Sequence, residues 1–264
     1  MMKTYHYSDP LNDDFASSNG KIKKKLIDKD YKYIHGDVFY RTGSFILYRL
    51  IATPIGFLIT RLGYGVKIKN RKAIKKIKGG FFLYGNHTNG ILDVFSPSFS
   101  AFPHKTHIVS GPEGVSMPVI GKITPMLGAV PLPSTLGASK NFLGALKALV
   151  EDGHVITIYP EAHIWPYYND IRPFSDSSFA YPMKLNVPVV AFTVTYRKRK
   201  VFKKMRPFAT ITLSDPFYPS DFADKTELRN AVYNFMTKTI KTEGTVEYNK
   251  YIYMEDKDEN NDCM

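Results

Sequence analysis

Beyond residue 79 the chain is built of short apolar blocks, separated by stretches in which apolar residues return every three or four positions. Blocks at 81–84 (FFLY), 107–110 (HIVS), 129–132 (AVPL), 155–159 (VITIY), 187–196 (VPVVAFTVTY) and 209–213 (ATITL) read as strands buried on both faces. Between them, Phe142, Leu143, Leu146 and Leu149 recur at helical spacing, which predicts a helix over 140–150 with Ser139 as its N-cap and Gly153 as its stop. Leu228, Val232, Phe235 and Thr239 share one face of a closing helix over about 221–242. Strands alternating with helices predict an α/β fold, a mixed and largely parallel sheet flanked by helices, with one or two antiparallel members.

Upstream the pattern differs. Residues 45–62 (FILYRLIATPIGFLITRL) are mostly apolar, but their charge-free core, 50–60, is bounded by Arg49 and Arg61 and interrupted by Pro54 and Gly56. A spanning helix needs about 20 apolar residues. The segment therefore reads as an amphipathic, membrane-associating helix that lies on or dips into one leaflet, peripheral or monotopic, the alternative being a helix buried against the core. Residues 1–20 are polar and carry no secretory signal pattern. Three regions follow: a basic N-terminal docking segment at 1–78, an α/β domain at 79–254, and an acidic tail at 255–264.

Composition sharpens this picture. The 264 residues carry a net charge of +12, with 18 Phe and 18 Tyr, so an anionic partner is expected. The charge is unevenly placed: +13 over 21–78, −1 over 79–196, and +7 over 197–206. The single cysteine, Cys263, excludes a disulfide framework and a cysteine-built metal site.

Two clusters carry chemistry, each at the exit of a predicted strand, where ligands bind in α/β sheets. In the first, Gly85-Asn86-His87-Thr88-Asn89-Gly90-Ile91-Leu92-Asp93, a helix start would pair His87 with Asp93. The imidazole would then act as general base, with the carboxylate fixing its tautomer. No G-x-S-x-G serine or comparable cysteine accompanies the pair, so the base would activate a hydroxyl or a water directly. By themselves the two residues also fit a helix cap or a satisfied turn. The second cluster, Tyr159-Pro160-Glu161-Ala162-His163-Ile164-Trp165-Pro166 continuing to Arg172, gathers an acid, an imidazole and a guanidinium. Alone, Glu161 and Arg172 also fit an ion pair.

Taken in order, His87 and Asp93, the block 128–134, Tyr159-Pro160-Glu161 and Val187-Pro188-Val189-Val190 resemble the glycerol-phosphate and lysophosphatidic acid acyltransferases. That family carries His-x4-Asp, a Gly-led block ending in Arg, Phe-Pro-Glu-Gly-Thr-Arg and Val-Pro-Ile-Val-Pro, and the resemblance runs from about 81 to 196. It departs in three places. Five residues separate His87 from Asp93, 128–134 holds no arginine, and Ala162-His163-Ile164 stand where the family has Gly-Thr-Arg. The resemblance implies acyl transfer from a thioester to a lysophospholipid hydroxyl, most directly 1-acyl-sn-glycerol 3-phosphate, in phospholipid biosynthesis. It assigns His87 and Asp93 to catalysis and Glu161 to acceptor binding; in place of the missing arginines, which the family would use for phosphate, the residues themselves offer His163, Arg172 or Lys140. Gly85 or Gly128 backbone would steady the oxyanion. No metal or organic cofactor is implied beyond acyl-CoA or acyl-carrier protein as co-substrate. The implied partners are those donors, the lysophospholipid and an anionic membrane surface on the cytoplasmic face, not nucleic acid.

Other classes remain open. His87, Asp93, Glu161 and His163 could serve a membrane-associated hydrolase as an oxygen/nitrogen metal set. A non-catalytic lipid-binding protein and a nucleic-acid binder using 21–32 and 67–78 are the remaining readings. His104 and His107, two residues apart in a Pro/Lys-flanked stretch, read as surface residues.

Overall fold

The structure is a computed structural model describing residues 2–16, 23–202, 205–244 and 246–254. The expected acidic tail, 255–264, lies outside the described residues, as do Lys203 and Lys204 of the second basic run. A seven-stranded sheet forms the centre. Its strands are β2 (Lys67–Lys69), β3 (Phe81–Gly85), β4 (Thr106–Ser110), β5 (Ala129–Pro131), β6 (Val155–Ile158), β7 (Val189–Arg197) and β8 (Phe208–Leu213), in the order β2-β8-β7-β3-β6-β4-β5. Strands β7, β3, β6, β4 and β5 run parallel, and the β7–β8 pair is antiparallel. The mixed, largely parallel α/β sheet flanked by helices is thus as expected.

Alternation along β3 shows why both faces must be covered. Phe82 and Tyr84 enter a core built with the Leu136–Glu151 and Lys225–Glu243 helices. Phe81 and Leu83 enter the opposite core with Leu92 and Ala101 of the Gly90–Ala101 helix. The Leu136–Glu151 helix begins earlier than its apolar spacing predicts, because Thr135 rather than Ser139 caps it, its hydroxyl accepting from Ala138 N–H at 3.3 Å. Asp224 caps the closing helix in the same way, through Thr226 and Glu227 N–H.

The sheet does not start at residue 79. Lys67–Lys69 pairs in parallel with β8, so the α/β body reaches into the segment assigned to docking. A second, two-stranded sheet joins β1 (Thr4–Tyr7) to β9 (Lys250–Tyr253), and Tyr251 stacks on Trp165 at 5.1 Å.

Pro54 and Gly56 do not interrupt the apolar segment. One helix runs Val38–Gly63, 26 residues whose most apolar window has mean hydropathy 1.5, long and apolar enough by length and composition to cross a membrane. The backbone passes Pro54 by widening: the N–H of Thr53 bonds to Tyr48 O, five residues back, a π-type turn that opens the helix ahead of the proline ring. Gly56 serves close approach, since a Cβ there would lie 2.6 Å from the Phe95 ring of the Gly90–Ala101 helix. The alternative of a buried helix does not hold, because only 17% of its most apolar window is buried.

His107 is not a surface residue, and His104 is half-buried. His107 lies in β4, 7% exposed, with Nε2 3.2 Å from His154 Nδ1, and His104 Nδ1 lies 2.8 Å from Gly153 O. Burial, then Lys105 and His154, pushes the His107 imidazole well below its usual range, so the folded state holds it neutral. The unfolded chain takes up that proton near pH 6.5, so stability is full above this value and falls as pH drops below it, by at most about 1.4 kcal/mol per pH unit. Urea midpoints measured from pH 7.5 to 5 are expected to fall less steeply in His107→Gln than in the wild type. A separate expectation concerns Gly85, where a Cβ would lie 2.1 Å from the Phe192 ring. Gly85→Ala is expected to lower unfolding free energy by about 1–3 kcal/mol in a denaturant titration.

Candidate active site

Parallel strands β3 and β6 end side by side, and the loops leaving them carry the two clusters. After β3 the side chain of Asn86 completes the ladder in place of backbone: its amide donates to Val194 O at 3.1 Å and accepts from Val194 N–H at 2.8 Å. Asn89 then caps the Gly90–Ala101 helix, accepting from Ile91 and Leu92 N–H. Asp93, in the first turn, reaches back with Oδ2 to Asn89 N–H at 2.8 Å and to His87 Nδ1 at 2.8 Å. The five-residue spacing is absorbed by this cap-and-turn geometry.

The dyad is asymmetric in exposure. The His87 side chain is 17% exposed and Asp93 2%. Burial raises the Asp93 carboxyl above its usual range, opposed by its bond to His87. With Nδ1–H donating to the carboxylate, Nε2 keeps its lone pair and has no partner among the described residues. The Tyr159 ring stacks on the imidazole at 4.4 Å and 15°.

The second loop is sewn to the first by backbone. Trp165 N–H donates to His87 O at 3.1 Å, and Tyr167 N–H to Thr88 O at 2.8 Å. Glu161 accepts from His87 N–H on Oε2 at 3.0 Å and from Arg172 N–H on Oε1 at 3.1 Å. The Arg172 guanidinium donates to Glu161 O, His163 O and Pro10 O and lies 4.9 Å over the Trp165 ring. Both side chains of this ion pair are 1% exposed. Burial raises the Glu161 carboxyl, which Arg172 opposes, and burial likewise lowers the guanidinium against the pull of Glu161.

A crevice of about 640 Å³ opens beside the dyad, lined among others by His87, Asp93, Ser110, Glu113, Tyr159, His163 and Ser178. Of the five expected site residues, His87, Asp93 and His163 reach it. Glu161 and Arg172 do not: expected on the acceptor, they are buried behind it, where both Glu161 carboxylate oxygens accept backbone N–H groups and the two terminal guanidinium nitrogens of Arg172 donate to backbone carbonyls. Lys140 is absent from the lining, which holds no Lys or Arg among the described residues. His163 stands 3.4 Å from Asp14 on one wall. Neither Gly85 nor Gly128 lines the crevice. Gly85 is inside β3, and Gly128 precedes β5 at the other end of the sheet with its N–H donating to Pro125 O. No group of three or more His, Cys, Asp and Glu is arranged to hold a metal among the described residues.

Sequence reasoning missed the role of Tyr159, quoted only as part of its motif. Its hydroxyl donates to Asp93 O at 2.5 Å. The available signal was Pro97, four residues after Asp93, which cannot supply the helical N–H. A second opening, an apolar groove of about 870 Å³, lies between the Val38–Gly63 and Gly90–Ala101 helices and meets the crevice at Val94.

Residues 65–195 match the family described as Acyltransferase. Among solved structures, the fold is similar to the 1-acyl-sn-glycerophosphate (LPA) acyltransferase PlsC from Thermotoga maritima, with a TM-score of 0.54 at 17% identity, covering 77% of this chain and 86% of that one. No curated protein matches it in sequence.

Two expectations follow from the second loop. Ala162 sits at φ 63°, left-handed, where the family pattern has glycine. Ala162→Gly is expected to raise unfolding free energy by about 1 kcal/mol in a urea titration. Glu161→Ala leaves a buried guanidinium uncompensated and removes the acceptor of His87 N–H, and is expected to lower it by about 3–5 kcal/mol.

Proposed function

We propose that this acyltransferase-domain protein moves a fatty acyl group from a thioester donor to the free hydroxyl of a lysophospholipid, with 1-acyl-sn-glycerol 3-phosphate the acceptor of first choice. The observation that carries the reading is the His87–Asp93 pair at 2.8 Å, held in a crevice with no serine or cysteine hydrogen-bonded to Nε2 among the described residues. In the proposed step His87 Nε2 takes the acceptor's hydroxyl proton as the oxygen attacks the thioester carbonyl. Collapse of the tetrahedral adduct forms the ester and breaks the C–S bond, and the imidazolium returns its proton to the leaving thiolate. Asp93 holds the tautomer and stabilises the charged imidazole.

Supporting features lie around the pair. The groove meeting the crevice at Val94 is lined by Leu47, Ile51, Phe57, Phe95 and Phe99, which suits an acyl chain. The largely exposed Val38–Gly63 helix, flanked by cations, suits attachment to an anionic bilayer from its cytoplasmic side. In this reading Glu161 acts by holding His87's backbone rather than by touching the acceptor, and His163 is the imidazole available to a headgroup. Acyl-CoA and acyl-carrier protein are both donors to test, and no metal or organic cofactor takes part. The similar solved structure is an LPA acyltransferase, which is the reason to begin with lysophosphatidic acid.

The test is direct. Purified protein in anionic vesicles, given labelled acyl-CoA or acyl-carrier protein and a panel of lysolipids, is expected to yield diacyl product. His87→Ala is expected to reduce turnover by at least about 10²-fold, within the range for loss of a general base. Wild-type turnover in His87→Ala, or activity lost on chelation, would overturn the reading in favour of a metal hydrolase. Vesicle binding with no turnover for any acceptor would favour a lipid-binding protein.

A further inference from the structure

The Gly90–Ala101 helix contains a defect at the residue that holds the dyad. Pro97 has no N–H, so the carbonyl of Asp93, four residues earlier, loses its helical donor. This carbonyl is buried with Asp93, and a buried unpaired carbonyl is unfavourable. The donor that reaches it comes from the other motif loop: Tyr159 O–H, at 2.5 Å. The same side chain lays its ring on His87, centroids 4.4 Å apart and planes 15° from parallel. Tyr159 is 9% exposed, and its ring is braced edge-on by Phe192 at 5.8 Å.

From this juxtaposition we infer that Tyr159 is a positioning residue for the dyad, acting through both members at once: its hydroxyl fixes the Asp93 backbone, and its ring fixes the plane of the His87 imidazole. The inference rests on the acyl-transfer reading. The family pattern has phenylalanine at this position, which would supply the ring and not the hydroxyl. The hydroxyl is needed here because Pro97 has removed the local donor. Phenol and proline are therefore two halves of one arrangement, one contributed by the loop after β6 and the other by the Gly90–Ala101 helix, and each accounts for the other. Asp93 Oδ1 has no hydrogen-bond partner among the described residues, so the backbone anchor bears more of the task of aiming Oδ2 at His87.

The experiment compares single and compensated variants in the vesicle assay. Tyr159→Phe keeps the stacked ring and removes the donor. It is expected to lower kcat about tenfold, leave KM for donor and acceptor within about twofold, and weaken the downfield proton resonance of His87 Nδ1–H, assigned by its absence in His87→Ala. Pro97→Ala restores a backbone N–H to Asp93 O, so the double variant Tyr159→Phe/Pro97→Ala is expected to regain at least half of the wild-type kcat together with the resonance. Tyr33→Phe, which removes a hydroxyl bonded to Pro131 O at 3.0 Å away from the crevice, is the control for simple loss of a tyrosine hydrogen bond and is expected to keep kcat. If Tyr159→Phe does not fold, the double variant decides alone. Folded and active, it supports the compensation; misfolded or inactive, it overturns it. Wild-type kcat and an unchanged resonance in Tyr159→Phe also overturn the inference. The two failures separate cleanly: turnover in His87→Ala sinks acyl transfer itself, whereas an inactive His87→Ala beside a fully active Tyr159→Phe sinks only the role of Tyr159.

Discussion

The buried Glu161–Arg172 pair is the interaction on which the site's geometry depends. An isolated charge in such an interior would be unfavourable by several kcal/mol, so each ion is tolerable only because the other, and a ring of backbone groups, meets it. Those backbone groups are not arbitrary. Glu161 takes the N–H of His87, and Arg172 takes the carbonyls of Glu161, His163 and Pro10. Satisfying the charges therefore fixes the exits of β3 and β6 relative to each other and draws the N-terminal segment against them. A carboxylate expected to bind the acceptor instead holds the backbone that presents His87.

This explains how the chain departs from its family pattern without losing the pattern's geometry. Ile164 stands where the family has arginine, and its side chain faces Gly90 at the crevice. The guanidinium arrives instead from Arg172, eleven residues beyond Glu161, after the loop has passed Trp165. Arginine suits that place better than lysine, since its planar fork can meet three carbonyls while its face lies on the indole. The longer His87–Asp93 spacing is met similarly: Asn89 occupies the extended N-cap, which sets Asp93 one turn into the helix and behind the imidazole.

What could be read from the sequence follows the range of the interactions involved. Strands buried on both faces, such as 81–84 and 187–196, are nearly uniform in hydrophobicity, and that is a local signal. The proximity of His87 and Asp93 needs only one helix turn and was also accessible. Thr135 as a cap was not, because Leu136 and Gly137 break the apolar rhythm of the helix they begin. Val66-Lys67-Ile68-Lys69 alternates over only four residues, too short a signal to stand out, and its place at the sheet edge comes from pairing with a strand more than 140 residues later. The same holds for β1 and β9, whose tyrosines gain meaning only around Trp165. Pro54 misled because a proline is read as a break, whereas a π-type turn accommodates it at the loss of little more than one hydrogen bond. Glu161 and Arg172 left two readings open, a ligand contact and an ion pair, and only tertiary structure shows that the pair is buried.

The two basic segments, separate in sequence, become one surface in space. Arg61 donates to Val66 O at 3.0 Å, Arg199 to Gly63 O at 2.9 Å, and Arg197 to Gly65 O, while Arg206 lies 4.1 Å over the Tyr64 ring. All four gather where the Val38–Gly63 helix ends, and that end carries the negative pole of its dipole and carbonyls without helical donors. Arg199 meets the last helical carbonyl, Gly63 O, the others bind the chain just beyond it, and together they leave net positive charge beside the apolar helix, while the crevice lining holds no Lys or Arg among the described residues. A protein that gripped a polyanion during catalysis would carry its cations at the reacting groups. Here they adjoin the exposed apolar helix, an arrangement that suits a surface offering anionic headgroups and hydrocarbon side by side. An electrostatic approach and an apolar hold would then act at one edge of the molecule, with the dyad set back from it.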